Sequence, residues 1–279
     1  MEIDAPSHLA TLGHPQRLAI FRLLMRRFPD RVAAGELAQT LSLKSSTLSA
    51  YLAALSQAGL ITQERVGTSL RYAINMPEVR ATLGYLFLDC CRGRPDLCAP
   101  ATAPGPAQGT PEGPYNVLFI CTGNSARSIF AEALLRREGA GRFNVYSAGT
   151  QPSARPNPYA LEVLSQDQHD ISHLRSKHIA ELQTAAAPPF DFVFTVCNQA
   201  ANEDCPAWPG QPVSAHWGLP DPVAATGTEA EKSLAFRQTY AALQNRIRAF
   251  TALPLASLDR ISLQNAVDEI GRTTPGHPT

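Results

Sequence analysis

Long apolar runs, net charge and repetition are all scarce in this chain of 279 residues. No stretch approaches the roughly twenty consecutive apolar residues that a membrane-spanning helix needs, so no membrane span or membrane partner is expected. The opening MEIDAPSHLATLGHP carries an early acid and no uninterrupted apolar segment, which argues against a secretory signal. A cytoplasmic setting is therefore expected, and there the cellular thiol pools keep most cysteines reduced. The 24 Lys and Arg balance 24 Asp and Glu, so no whole-molecule field draws in a polyanion. Locally the balance differs: residues 1–98 hold 11 basic against 8 acidic side chains, and the remainder 13 against 16. A modestly positive front half permits nucleic-acid binding without requiring it, because phosphate neutralisation depends on clustering more than on totals. No internal repeat is visible.

A hydrophobic content of 44% is enough for packed cores, and the length exceeds one ordinary domain. Residues 99–114, APATAPGPAQGTPEGP, hold five prolines and three glycines and no large apolar side chain. Such a segment can bury nothing. It reads as a semi-extended tether reaching on the order of 50 Å at about 3.1 Å per residue. The expected organisation is a domain over 1–98, the tether over 99–114, a second domain over 115–252, and a helix and polar tail over 253–279. Six cysteines divide three and three across the tether: Cys90, Cys91 and Cys98 before it, Cys121, Cys197 and Cys205 after it. In a reducing compartment they read as ligands or catalysts before structural disulfides.

The front domain is patterned for helices. Residues 16–28 interleave Leu18, Ile20, Phe21, Leu23, Leu24 and Met25 with four arginines. Further helices fit 33–40 and 45–58, the latter with Ser45 or Ser46 placed to cap it and Gly59 to end it. Residues 60–66 and Ser69–Ile74 alternate around Gly67-Thr68 as a hairpin would, and a last helix fits 77–88. That order is a winged helix-turn-helix, in which Ser45, Ser46, Thr47, Ser49 and Tyr51 would enter a major groove and Arg65 and Arg71 would meet phosphates. A small helical interaction module whose Ser/Thr cluster merely starts a helix is the alternative. The strings LGHPQRLAIFRLL, AAGELAQTLSLKSSTLSAYLAALSQAGLI and ERVGTSLRYAIN resemble the ArsR/SmtB family of metal- and metalloid-responsive repressors, over roughly residues 6–98. The resemblance implies a homodimer through this domain that leaves operator DNA when a ligand binds.

Cys90, Cys91 and Cys98 follow the last helix in CCRGRPDLC, where Gly93 and Pro95 can fold the chain back. Soft thiolates select soft ions, and three sulfurs with no nearby His or fourth Cys suit three-coordinate trivalent arsenic or antimony better than tetrahedral zinc. Core thiols at a dimer-forming helix remain the other reading. Some arsenite-responsive members of the family resemble this stretch, which implies arsenite as the regulatory ligand.

Beyond the tether, the apolar run YNVLFI at 115–120 leads into Cys121-Thr122-Gly123-Asn124-Ser125-Ala126-Arg127-Ser128 and an amphipathic helix. Strand, tight loop and helix N-terminus together form an anion site, because unpaired backbone N–H groups and the positive helix end converge there. Arg127 can fork onto a tetrahedral oxyanion. Cys121 at the loop mouth is expected to be a thiolate at neutral pH. The expected class is thus a mainly α winged helix followed by an α/β domain with a central parallel sheet.

This half resembles the low-molecular-weight protein tyrosine phosphatase fold, and particularly its arsenate reductases, from about residue 115 to 250. The resemblance implies Cys121 as nucleophile, residues 122–128 as the oxyanion cradle, Asn124 and Ser128 as supports of the loop, and Asp221 in WGLPDP as general acid. It further implies a relay in which Cys197 attacks the Cys121–arsenate adduct and Cys205 resolves the disulfide, regenerated by thioredoxin, glutaredoxin or glutathione, with no tightly bound cofactor. The tyrosines that follow the acid loop in many phosphatases are absent, which favours reduction over ester hydrolysis. Cys205 could still be a passive loop thiol. Glu132 and Ser147 could line an ion site, and His216 beside Trp217 reads as a packed structural pair.

Overall fold

The computed structural model describes residues 4–90, 113–184, 187–203, 208 and 210–272, which leaves Cys91, Cys98, Cys205 and most of the expected tether outside the described residues. The chain divides into two compact units, Met1–Thr102 and Ala103–Thr279.

The first unit opens with α1 (Ala5–Leu12), missed in the sequence and capped by the Asp4 carboxylate on the Ser7 N–H. Helix α2 (Pro15–Arg26) starts where His14 caps Gln16 and Pro15 supplies a preset φ. A two-residue strand β1 (Val32–Ala33), too short to show any periodicity, precedes α3 (Ala34–Thr40) and α4 (Ser45–Gln57). The hairpin follows as β2 (Ile61–Val66) and β3 (Ser69–Ile74), giving a three-stranded sheet in the order β1-β3-β2. Leu48, Leu52 and Leu55 recur at helical spacing on α4 and bury against Ile20, Leu23, Leu24 and Leu37. Gly59, at φ +71°, ends α4 in the left-handed region as expected.

Two local expectations fail. Neither Ser45 nor Ser46 caps α4: Lys44, with extended backbone, is the N-cap, and it makes no side-chain capping bond. Ser45 is already helical, and its carbonyl accepts the Ser49 hydroxyl at 2.8 Å. The last helix, α5 (Met76–Tyr85), gives way to a wider π-type turn at Leu86–Cys90 rather than running on regularly. Gly84, a weak helix former, sits at that change.

The second unit is a parallel four-stranded sheet in the order β5-β4-β6-β7, made of β4 (Tyr115–Cys121), β5 (Phe143–Gly149), β6 (Phe192–Thr195) and β7 (Val213–His216). Around it lie α6 (Arg127–Glu138), α7 (Pro158–Gln166), the short α8 (Asn198–Asn202), α9 (Glu229–Thr251) and α10 (Arg260–Arg272). Strand β4 pairs with β5 on one side and β6 on the other. In a doubly wound sheet this reversal leaves a crevice at the carboxyl end of the central strand. Cys121 is the last residue of β4, in register with Gly149 of β5. Beneath it, Phe119, Phe194, Trp217 and Phe250 form the aromatic centre of the core, with Trp217 stacked on Phe194 at 4.1 Å between ring centres. Leu263, Val267 and Ile270 of α10 are buried in that same core.

Candidate active site

The loop after β4 is held open by its neighbours. The carbonyls of Cys121, Thr122, Gly123 and Ser125 accept the N–H groups of Thr150, Gln151, Ser153 and Asn157, and that of Asn124 accepts the Ser176 hydroxyl. With these carbonyls bound, the Asn124 N–H turns to the Cys121 sulfur and the Thr122 N–H to that of Cys197. Gly149 makes this approach possible, since a Cβ there would lie 2.4 Å from the Thr122 carbonyl oxygen.

Asn124 is the keystone of the loop. It is fully buried at φ +42°, and its amide nitrogen donates to Ser128 Oγ at 2.9 Å and Ser147 Oγ at 2.8 Å. Its side-chain oxygen accepts the Lys177 N–H at 2.8 Å, and its own N–H points at Cys121 Sγ, 3.1 Å away. Ser128 Oγ lies 2.9 Å from the same sulfur.

Two electrostatic expectations change. Burial, and then the neighbouring Cys197, push the Cys121 thiol above its ordinary range, against the opposing pull of Ser128 and Arg127. Arg127 is already engaged: Nη2 donates to Asp221 at 2.7 Å and Nη1 to the Leu219 carbonyl at 3.0 Å. A guanidinium neutralised by a carboxylate projects less field onto the sulfur, so the loop does not by itself make Cys121 a thiolate. The second change concerns Glu132 and Ser147, expected at an ion site. Ser147 donates to Glu132 at 2.5 Å, and Lys177 Nζ stands 3.5 Å from both, so a protein cation occupies that neighbourhood. Burial pulls the Lys177 ammonium below its usual range while Glu132 resists. Among the described residues no cluster of His, Cys, Asp or Glu could hold a metal ion. Lys177 went unnoticed in the sequence because it lies in an irregular segment with no periodic signal.

Cys197 follows β6 and caps α8. Its sulfur accepts the Ala200 N–H at 3.4 Å and the Thr122 N–H at 3.2 Å, and lies 3.4 Å from the Thr122 hydroxyl. Thr122, assigned in sequence only to the oxyanion cradle, thus also touches the second thiol. His216 is a packed structural residue, bonded to Thr195 and Asn198. Asp221 caps a short turn through Val223 and lies beside Arg127.

In the first unit, Ser45, Ser46 and Ser49 are exposed on α4, while Thr47 and Tyr51 are half-buried and Tyr51 packs on the His14 ring. Arg71 pairs across the hairpin with Glu64, and Arg65 with Leu70. Because side chains alternate along a strand, Arg65 and Arg71 project from opposite faces, so a duplex against one face of the wing meets only one of them. Cys90 is exposed at the end of the π-type turn.

Residues 116–262 match the family model described as low molecular weight phosphotyrosine protein phosphatase. The chain belongs to that family. Residues 12–64 match a helix-turn-helix domain model, in line with the winged-helix order of the first unit. Among curated relatives, the arsenate reductase of Halalkalibacterium halodurans is 38% identical over 136 residues, covering 48% of this chain and 93% of its own length. That of Bacillus subtilis is 36% identical over 135 residues, with the same coverage. A solved arsenate reductase in the phosphate binding state is 28% identical, spans 50% of this chain and 97% of its own, and superposes with a TM-score of 0.41.

The Arg127–Asp221 pair carries a prediction for this phosphatase-family unit. An oxyanion must compete with the Asp221 carboxylate for the guanidinium. Asp221→Asn removes the competing charge, so phosphate should bind several-fold more tightly to that variant by isothermal titration calorimetry. Equal or weaker binding would show that the pair does not guard the cradle.

Proposed function

We propose that the chain is an arsenite-responsive transcriptional repressor joined to a thiol-relay arsenate reductase. The observation that carries the reductase reading is the seat of Cys197, its sulfur bonded to Thr122, the residue next to Cys121. Hydrolysis of a phosphoester has no use for a second thiol there. A two-electron reduction requires one. The arsenate reductases among the relatives support the same assignment.

Arsenate enters the cradle of residues 122–128, displacing Asp221 from Arg127. Cys121 Sγ bonds to arsenic as one arsenate hydroxyl departs as water. The proton that its raised pKa keeps on the sulfur, or one held by Asp221, completes that water. Cys197 Sγ, near the positive end of α8, then attacks Cys121 Sγ. The sulfur–sulfur bond forms as the sulfur–arsenic bond breaks, and its electron pair stays on arsenic. Arsenate leaves reduced to arsenite, and two thiols are oxidised to one disulfide. Cys205 takes over that disulfide, and an external dithiol of the thioredoxin type, or glutaredoxin with glutathione, restores all three thiols.

In the first unit, a homodimer would hold operator DNA through α4 and the wing. Arsenite on Cys90, Cys91 and Cys98 would release it. Because the two units share one chain, arsenite formed by one would reach the other at raised local concentration. The test is arsenite release by the full chain from arsenate with a thioredoxin system, alongside operator binding before and after turnover. No arsenite, with brisk aryl phosphate hydrolysis, would make the second unit a phosphatase instead. Operator binding indifferent to arsenite would remove the sensing role.

A further inference from the structure

Helix α10 has no part in the chemistry above, yet it ends against the acid loop. The family match stops at residue 262, so residues 263–272, nearly three turns of α10, lie beyond it. There the Val267 carbonyl accepts the Trp217 indole N–H at 2.9 Å. Gly271 lies so close to the same segment that a Cβ on it would stand 2.6 Å from the His216 carbonyl oxygen and 3.1 Å from Trp217 Cδ1. Arg246, on α9 and only 4% exposed, joins the two: one nitrogen donates to the Gly218 carbonyl at 3.4 Å, the other to the Gly271 carbonyl at 3.1 Å. Further back, the Gln264 side-chain amide donates to the Ser214 carbonyl at 2.7 Å and accepts the Ser214 N–H at 3.4 Å, matching the free edge of β7 like a short strand. Trp217 and Gly218 lead directly into Leu219, whose carbonyl holds Arg127, and then into Asp221.

From these contacts we infer that α10 is a brace for the acid loop, with Arg246 and Gly271 as positioning residues that set where Asp221 stands over the cradle. A buried guanidinium bridging two carbonyls fixes both in space, and the absent side chain at Gly271 lets the helix end close on the loop. Covering the edge of β7 explains Gln264 but not the contacts at Gly218 and Gly271. The inference rests on the reading of Asp221 as the acid, and the test separates the two.

In the full chain, Gly271→Val pushes the helix end off the loop, and Arg246→Met removes the bridge with little change of volume. Each is compared with Asp221→Asn and combined with it, and arsenite formation is followed in single turnover with enzyme in excess of arsenate. Asp221→Asn is expected to slow this step about a hundredfold, the usual scale of a lost general acid. Gly271→Val and Arg246→Met should each slow it at least tenfold, with phosphate bound no more weakly than by the parent. In the Asp221→Asn background neither should slow it further, since the brace then has no acid to place. Arg246→Lys, which can still reach one carbonyl, should recover part of the rate. If Asp221→Asn reacts at the parental rate, the acid assignment fails and the brace with it. If Asp221→Asn is slow but the brace variants, folded by circular dichroism, keep the parental rate or slow both backgrounds equally, the brace alone is wrong. Should Arg246→Met not fold, Gly271→Val, which removes no polar partner, decides the matter by itself.

Discussion

Cys197→Ser is expected to lower arsenite production by the full chain at least a thousandfold while hydrolysis of p-nitrophenyl phosphate persists. Serine accepts the same hydrogen bonds from Thr122 and Ala200 that the Cys197 sulfur accepts, so the cap of α8 and the loop contact survive. An alkoxyl group cannot form the bond to Cys121 Sγ that expels arsenic with its electron pair, and the two-electron step loses its reductant. Ester hydrolysis uses only Cys121, the cradle and the acid, and needs no second sulfur. The substitution has a second, opposite signature. Cys197 is one of the groups that push the Cys121 thiol up, so its removal lets that pKa fall. At a fixed pH below the parental pKa, a larger fraction of Cys121 is then thiolate, and iodoacetamide should label it faster than in the parent. Parental arsenite production in the variant would mean that an external thiol attacks Cys121 directly. The relay through Cys197 would then be wrong.

The oxyanion loop was legible because its parts are contiguous. An apolar strand, a Gly-Asn-Ser interior, an arginine and a helix occupy some twenty successive residues, and a local pattern suffices to find them. The hairpin and α4 were legible for the same reason, through strand alternation and the Leu48, Leu52, Leu55 spacing. What escaped depends on partners far away in sequence. Arg127 meets Asp221 94 positions on, and burial together with the distant Cys197 pushes the Cys121 thiol up, against the thiolate expected of the loop. Thr122 meets Cys197 at a separation of 75, which gave Thr122 a role that no local reading assigns. Helix α9 was also passed over, although Thr228 and Glu231 form a reciprocal capping box at its start that the sequence shows as Thr-x-x-Glu. Beyond it, a helix was expected within 253–279, but its contact with the acid loop runs through Val267, Gly271 and Arg246, residues with no catalytic chemistry of their own. Of the three thiols proposed to bind arsenite, Cys90 is exposed at the end of the π-type turn, and Cys91 and Cys98 lie outside the described residues.

Asn124→Ala is expected to damage both stability and turnover, more than any other change in the loop that spares the sulfur and the guanidinium. The side-chain amide ties three elements to the loop: Ser128 at the start of α6, Ser147 on β5, and the Lys177 backbone in the segment that precedes Ile179. Alanine keeps none of these bonds: the Ser128 and Ser147 hydroxyls retain Cys121 and Glu132 but each loses a donor, and the Lys177 N–H loses its acceptor. It must also adopt φ +42°, where asparagine is tolerated better than other residues with a Cβ. Together the unsatisfied groups and the strained backbone should cost about 2–4 kcal/mol, read from the shift of the unfolding midpoint in urea. The chemical effect is separate. If the backbone relaxes out of the left-handed region, the Asn124 N–H swings away from Cys121 Sγ and the inward set of amides is broken, so arsenate turnover should fall at least a hundredfold even in molecules that stay folded. Asn124→Gly divides the two causes, because glycine adopts the same φ freely but restores no side-chain bond. It should recover roughly 1 kcal/mol of stability and a larger share of turnover. If the glycine variant were as slow as the alanine variant, the side-chain bonds rather than the backbone turn would be what holds the amides on Cys121.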